Sequence, residues 1–347
     1  MKRTLQSDTL QKHAEVAVLL STYNGARFIE PQIRSLTQND TPFTLHWLDD
    51  HSTDNSCEVV RAAVAATGVR LIEWHHPQHQ GYPGAFFQLL ECVNADVYLF
   101  CDQDDIWQPG KIDATVANLL SDIAAPVLCF SQALMFRNDA PEVLHQVYAA
   151  MGANVDGILQ ESRLFVFNPA QGNTIGFTRP LREIFLRHKE IARAYAAGHD
   201  WWMYVIAVAS GTSRMLSNVP TTLYRMHGNN LGAVFFNWSQ WRLQQGIRRW
   251  AARQAAGFCL ASSTLEPGPR LERLRTLARL VATLDRRQSP FSLVRLLLCG
   301  AIPPSGVSAA WLAAACLCSD AKVDSHSIDP ISYSADPTSL DPTAPRH

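Results

Sequence analysis

The chain has 347 residues, of which 47% are hydrophobic and 18% charged. That length and apolar content exclude general disorder and suit one large domain with an appendage, or two domains. A formal net charge of -1 excludes a globally basic nucleic-acid binder, because neutralising a phosphate backbone needs a concentrated positive surface.

Residues 1–14 read as an N-terminal extension. Met1-Lys2-Arg3 is followed by no apolar run, so the segment does not read as a secretory signal. The 8 cysteines include no Cys-x-x-Cys pair, and several lie in apolar runs, as Cys129 does in Val127-Leu128-Cys129-Phe130. Buried, reduced thiols and a cytoplasmic protein are the expectation.

From residue 15 to about 135, apolar segments at 16–20, 45–48, 69–73, 97–100 and 127–130 alternate with helical ones. Ile29, Ile33 and Leu36 fall at helical spacing between the first two, and Ile112, Val116 and Leu119 between the last two. Nearly all-apolar strands separated by amphipathic helices predict an α/β fold with a mostly parallel central sheet covered on both faces. In such sheets ligands bind beyond the carboxyl ends of the strands. Those ends read Ser21-Thr22-Tyr23-Asn24-Gly25, Asp49-Asp50-His51-Ser52-Thr53-Asp54 and Asp102-Gln103-Asp104-Asp105.

An Asp-x-Asp arrangement on a turn suits Mg²⁺ or Mn²⁺, which take oxygen ligands and share coordination with substrate phosphates. A divalent cation there would stabilise charge building on a departing pyrophosphate. The other reading is a solvated acidic loop, and three acids in four residues repel one another if uncompensated. His75, His76 and His79 lack a Cys companion and read as a solvated loop rather than a zinc site.

Beyond residue 136 the pattern is less regular, with an expected strand at 173–177 and expected helices at 181–195 and 201–209. Gly198-His199-Asp200-Trp201-Trp202 places a carboxylate at the head of an apolar helix. On local grounds Asp200 is either a helix N-cap or a general base. From 236 to 318 the segment is helical and rich in arginine up to Arg295, where Glu266, Glu272 and Asp285 are the only acids after Trp238. Interleaved Trp238, Trp241 and Trp250 suit peripheral contact with a membrane, the inner face of the cytoplasmic membrane for a cytoplasmic protein. A bundle face packed on the rest of the protein explains the same pattern. Residues 296–318 carry no charge, but Pro303-Pro304-Ser305-Gly306 opposes one straight spanning helix. The tail at 319–347 is too poor in apolar residues to fold alone.

In order and spacing, Ser21-Thr22-Tyr23-Asn24-Gly25, Asp49-Asp50-x-Ser52-Thr53-Asp54 and Asp102-Gln103-Asp104-Asp105-Ile106-Trp107-x-Pro109-x-Lys111 closely resemble family-2 inverting glycosyltransferases of the GT-A fold. The subgroup they resemble is rhamnosyltransferase-like, and Tyr224-Arg225-Met226-His227-Gly228-Asn229-Asn230 is similar to a second segment of it. The resemblance implies a GT-A catalytic domain at 15–235, with a nucleotide-binding half (15–135) and an acceptor half (136–235). It implies that Ser21, Thr22, Tyr23 and Asn24 line the nucleotide pocket with Asp49, Asp50, Gln103 and Arg225, Asp50 taking the pyrimidine imide N–H. Asp104 would be the main metal carboxylate, Asp102 would hold the ribose or the metal's water shell, and His227 would join the metal or the pyrophosphate. Trp107 would wall the sugar or pack under the loop. Asp200 would be the base, with Asn173, Thr174, Trp201 and Trp202 toward the acceptor. Ala85 departs from the subgroup, which has Asn there. The implied reaction moves a sugar, L-rhamnose from dTDP-L-rhamnose, onto a hydroxyl of a polysaccharide or lipid-linked glycan such as an O-antigen. A UDP-hexose donor and a non-catalytic nucleotide- or glycan-binding module are the rival readings. No Gly-x-Gly-x-x-Gly follows the first strand and no Gly-x-x-x-x-Gly-Lys-Ser/Thr occurs, which disfavours a dehydrogenase, a kinase and an ATPase.

Overall fold

The computed structural model describes residues 14–137, 140–146, 161–227 and 241–282. Residues 1–13, Gly228-Asn229-Asn230, Trp238, the uncharged 296–318 and the tail 319–347 lie outside them.

Four strands, β1 (Val16–Thr22), β2 (Thr44–Asp49), β3 (Leu71–Trp74) and β4 (Val97–Cys101), run parallel in the order β3-β2-β1-β4. Beyond β4 the sheet is mixed. β8 (Ile175–Thr178) lies antiparallel between β4 and β6 (Val127–Arg137), and β9 (Thr212–Arg225) runs parallel to β6. The two-residue β5 (Ile106–Trp107) pairs antiparallel with β9, and β7 (Ala140–Gln146) with β6.

Alternation along β1 divides the interior into two cores, since successive side chains of a strand point to opposite faces. Val16, Val18 and Leu20 enter the core covered by α1 (Ala26–Leu36), α2 (Ser56–Thr67) and α4 (Lys111–Leu120). Ala17 and Leu19 enter the other, under α3 (Gly81–Cys92), α5 (Arg179–Arg187) and α7 (His199–Ser210). Helices on both faces follow from strands that are apolar on both. Helix α7 is apolar all round, from Trp201 to Val208, and is correspondingly buried.

Three elements differ from the sequence expectation. The strand expected at 173–177 begins only at Ile175, because Gly172–Thr174 forms a 3₁₀ turn. The helix expected at 181–195 is two, α5 and α6 (Lys189–Tyr195), broken at His188, whose Nδ1 bonds the Ile184 carbonyl at 2.9 Å. The third strand starts two residues late, after Gly68 ends α2 at φ 71° with its N–H on the Val64 carbonyl, a left-handed position that suits glycine.

Helices α8 (Trp241–Ala261) and α9 (Pro269–Ala282) carry much of the arginine. Their apolar stripes, Ala251, Ala255 and Phe258 with Leu271, Leu274 and Ala278, join the same core as α7. At Gly257 an added Cβ would overlap Tyr195 Cβ, so only glycine lets α8 approach α6 this closely. No helix among the described residues is long and apolar enough to cross a membrane.

Candidate active site

The β1 and β2 ends are tied together by side chains. Thr22 Oγ1 donates to Asp49 Oδ1 (2.8 Å) and accepts from Trp47 Nε1 (2.9 Å). Asp49 also takes the Ser52 hydroxyl and N–H at 2.6 and 2.8 Å. Asn24, at φ 48°, accepts the Thr53 N–H and gives its own N–H to Ser52 Oγ. Thr22 is 1% exposed, so its side chain supports the loop from below instead of lining a pocket.

The loop is fastened to the β4 end by one amide. Gln103 accepts the Tyr23 N–H at 2.9 Å and donates to the Tyr23 carbonyl at 3.0 Å, as a neighbouring strand would. A Cβ on Gly25 would overlap Gln103 Oε1, so a larger residue there would displace the Gln103 amide from the Tyr23 backbone. Asp50 is buried and accepts the Gln80 and Gly81 N–H groups at 2.6 and 2.7 Å, with His79 Nδ1 at 3.0 Å. The His79 ring lies 4.7 Å from that of Tyr23. His79 therefore belongs to a loop held on Asp50, with Tyr23 exposed over it.

The three acids of the β4 turn occupy different environments. Asp105 is fully buried, accepting Asn173 Nδ2 at 2.5 Å and the Arg225 N–H at 3.0 Å. Burial, and then the Asp104 charge, push its carboxyl up to about 8. Lys111, also buried, donates to the Asn173 carbonyl and to Thr222 Oγ1, with its ammonium 3.8 Å from the centre of the Trp107 ring. Desolvation lowers that amine to about 7. Trp107 packs under the loop at 1% exposure and does not wall a sugar.

Asp102 and Asp104 are partly buried and closer to solvent. Asp104 Oδ2 meets His227 Nε2 at 2.8 Å, and its backbone carbonyl accepts Arg225 Nε at 2.6 Å. Phe28 backs both partners, stacked on the His227 ring and lying under the Arg225 guanidinium. Asp102 is held well above the usual carboxylate range by desolvation, then by the charges of Asp105, Asp104 and Asp200. Oxygen and imidazole donors in a negative field with too little compensation fit a hard divalent cation. Among the described residues no three His, Cys, Asp or Glu groups stand preformed around one point. Mg²⁺ is ordinarily held by one or two carboxylates together with substrate phosphates, so this donor set fits that mode.

Asp200 lies in the first turn of α7 and is not its N-cap, which is Gly198. Its Oδ1 accepts the Trp201 N–H at 2.7 Å, and its Oδ2 accepts Asn168 Nδ2 at 2.9 Å and the Gly172 N–H at 3.2 Å. The Tyr82 hydroxyl is 3.4 Å from Oδ1. Burial raises the Asp200 carboxyl to about 6, the hydrogen bonds opposing it. A Cβ on Gly172 would lie 2.8 Å from His199 Nε2 and 3.6 Å from Asp102 Oδ2. Gly172 thus has Asp200 on its N–H and Asp102 on the side where a Cβ would stand.

Other expected contacts are not available as side chains. Asn173, Thr174 and Trp201 are 2%, 3% and 5% exposed, and Trp202 is 0% exposed. Asn173 is committed to Asp105, Thr174 to the Gln171 carbonyl and Trp201 Nε1 to the Leu164 carbonyl. An apolar helix head and a 3₁₀ turn bury these four residues, which were expected toward the acceptor. Asn168 and Tyr82 are the partners of Asp200 that sequence reasoning missed. The one signal for Tyr82 was its place before Pro83, which holds a residue out of helical conformation.

Residues 17–185 match the profile described as Glycosyl transferase family 2. The chain is 26% identical over 229 residues to dTDP-rhamnosyl transferase RfbG of Shigella flexneri, covering 61% of this chain and 72% of that one. It is 32% identical over 103 residues to an uncharacterized glycosyltransferase, alr2836, of Nostoc sp., covering 29% of this chain and 32% of that one. Among solved structures, the mannosyltransferase PcManGT from Pyrobaculum calidifontis, in complex with GDP-Man and Mn2+, aligns over 91% of this chain and 93% of its own, with TM-score 0.54 and 15% identity. TarS 1–349 of S. aureus aligns over 85% and 83%, with TM-score 0.50 and 14% identity. The profile match spans residues 17–185, just under half of the chain, and encloses the strand ends where the carboxylates gather, and the fold is the GT-A fold of these solved structures.

Proposed function

We propose that this enzyme transfers L-rhamnose from dTDP-L-rhamnose, with inversion, to a hydroxyl of a polysaccharide or lipid-linked glycan at the cytoplasmic side of a membrane. The observation that carries the reading is that Asp200 and Asp102 both lie close to Gly172, a candidate base and a candidate donor carboxylate at one backbone position. The relative in Shigella flexneri that is named a dTDP-rhamnosyl transferase supports the sugar.

In this reading the unit from 15 to 235 performs the catalysis. Ser21, Tyr23 and Asn24 line the nucleotide with Asp49 supporting them, and Asp50, buried and holding the Gln80 and Gly81 N–H groups and the His79 ring, fixes the loop that borders the pyrimidine. Asp102, Asp104 and His227 hold Mg²⁺ or Mn²⁺, which when bound neutralises charge on the pyrophosphate. Arg225 adds positive charge beside it. Asp200 takes the proton of the acceptor hydroxyl as that oxygen bonds to the anomeric carbon. The sugar–phosphate bond breaks on the opposite face, its electrons leave with the nucleoside diphosphate, and the configuration inverts.

Calorimetry with dTDP-L-rhamnose, a UDP-hexose and GDP-mannose, each with and without Mn²⁺, tests the donor. Binding of dTDP-L-rhamnose alone, strengthened by the metal, is expected. Preference for the UDP-hexose would replace the sugar assignment, and binding of none would point to a pocket without donor function.

A further inference from the structure

We propose that Tyr82 is a placeholder on the base: before the acceptor arrives, its phenol stands where the acceptor hydroxyl must bind and keeps water from that position. The inference rests on Asp200 acting as the base in a sugar transferase.

The hydrogen bonds of Asp200 leave one approach open. Oδ2 is taken by Asn168 and Gly172, and Oδ1 by the Trp201 N–H. The remaining side of Oδ1 faces the Tyr82 hydroxyl at 3.4 Å. An O–H···O bond prefers roughly 2.5–3.0 Å, so this one is weak and readily displaced. A phenol beside a carboxylate stays protonated at neutral pH, an O–H donor like the acceptor alcohol it stands for.

Three features of the chain build this position. Gly198 leaves the gap, because a Cβ there would lie 2.6 Å from both Asp200 Oδ1 and the Tyr82 hydroxyl. Tyr82 sits at the head of α3 with ψ 130°, outside helical conformation, so helical geometry does not fix the ring. It is 38% exposed and meets His199 only edge-on, with ring centres 5.4 Å apart. An exposed aromatic ring whose hydroxyl reaches the base also offers a face on which an acceptor sugar can lie.

Without such a stopper, water on Asp200 would consume the donor. Its proton would pass to Asp200, its oxygen would bond to the anomeric carbon, and the nucleoside diphosphate would leave with the electrons of the broken bond. Free sugar would be the second product.

The test measures nucleoside diphosphate release from the donor without acceptor, beside transfer to acceptor, in wild type, Tyr82→Phe and Tyr82→Ala. Loss of one weak hydrogen bond should raise the hydrolysis-to-transfer ratio of Tyr82→Phe by on the order of fivefold and lower the acceptor KM. Tyr82→Ala should raise the ratio further while raising the acceptor KM, because the ring is gone. A purely structural Tyr82 would depress hydrolysis and transfer together, and an unchanged ratio in both variants overturns the proposal. Wild type that releases no nucleotide under either condition would overturn the transferase reading itself, and this inference with it.

Discussion

Asp200 is raised to about 6 by burial, so it is charged over the upper part of the physiological range and protonated below it. A base acts only when deprotonated, so transfer at saturating donor should rise with pH through about pH 6. Asp200→Asn removes the basic lone pair but keeps an oxygen for the Asn168 or Gly172 bond. It should cost about 10²–10⁴-fold in kcat while donor affinity by calorimetry stays within about twofold. Near-normal turnover in that variant would sink the assignment. Asp200 was legible in the sequence as a carboxylate ahead of an apolar helix. Asn168 and Tyr82 were not, since they reach it across 32 and 118 residues of chain, and no local pattern encodes such a meeting.

Elements cross-brace the carboxylate turn. Asp105 joins the turn after β4 to the β9 end through the Arg225 N–H, and to the 3₁₀ turn through Asn173. Asp105→Ala would leave two donors unpaired in the interior, at about 1–3 kcal/mol each, and should lower the denaturant midpoint accordingly. Binding of a nucleoside diphosphate with Mn²⁺ should weaken in the same variant, because Asp104 is the next residue. Strands β1, β2, β4 and the start of β6 were legible because each is a run of apolar residues. Strand β9 was not, since its opening Thr212-Ser213-Arg214-Met215-Leu216 is neither an apolar run nor an alternation; its pairing with β6 is a tertiary property.

At the scale of the whole molecule, the arginine-rich helices act first as packing. Arg253 donates to the Ala194 carbonyl, Arg275 to the Ser262 carbonyl and Arg270 to Glu161, while the apolar stripes of α8 and α9 close the core around α7. Of the two readings open in the sequence, the packed bundle accounts for these contacts. Truncation after residue 235 should therefore expose the core surface against which Phe258 and Leu271 pack, lower the Tm by several degrees and promote aggregation, measured by thermal melting with light scattering. Full stability of the truncated chain would show that the two helices are dispensable to the core.

The Gln103 amide, bonded at both ends to the Tyr23 backbone, makes the loop after β1 and the turn carrying Asp102 and Asp104 one mechanical piece. In the proposed binding mode the nucleotide and the cation both rest on that piece and touch through the pyrophosphate, so their binding is linked, and the linkage is reciprocal: the factor by which nucleotide tightens cation binding equals the factor by which the cation tightens nucleotide binding. Gln103→Ala should shrink both factors equally, so that the enzyme becomes less able to tell a metal-loaded nucleotide from a bare one.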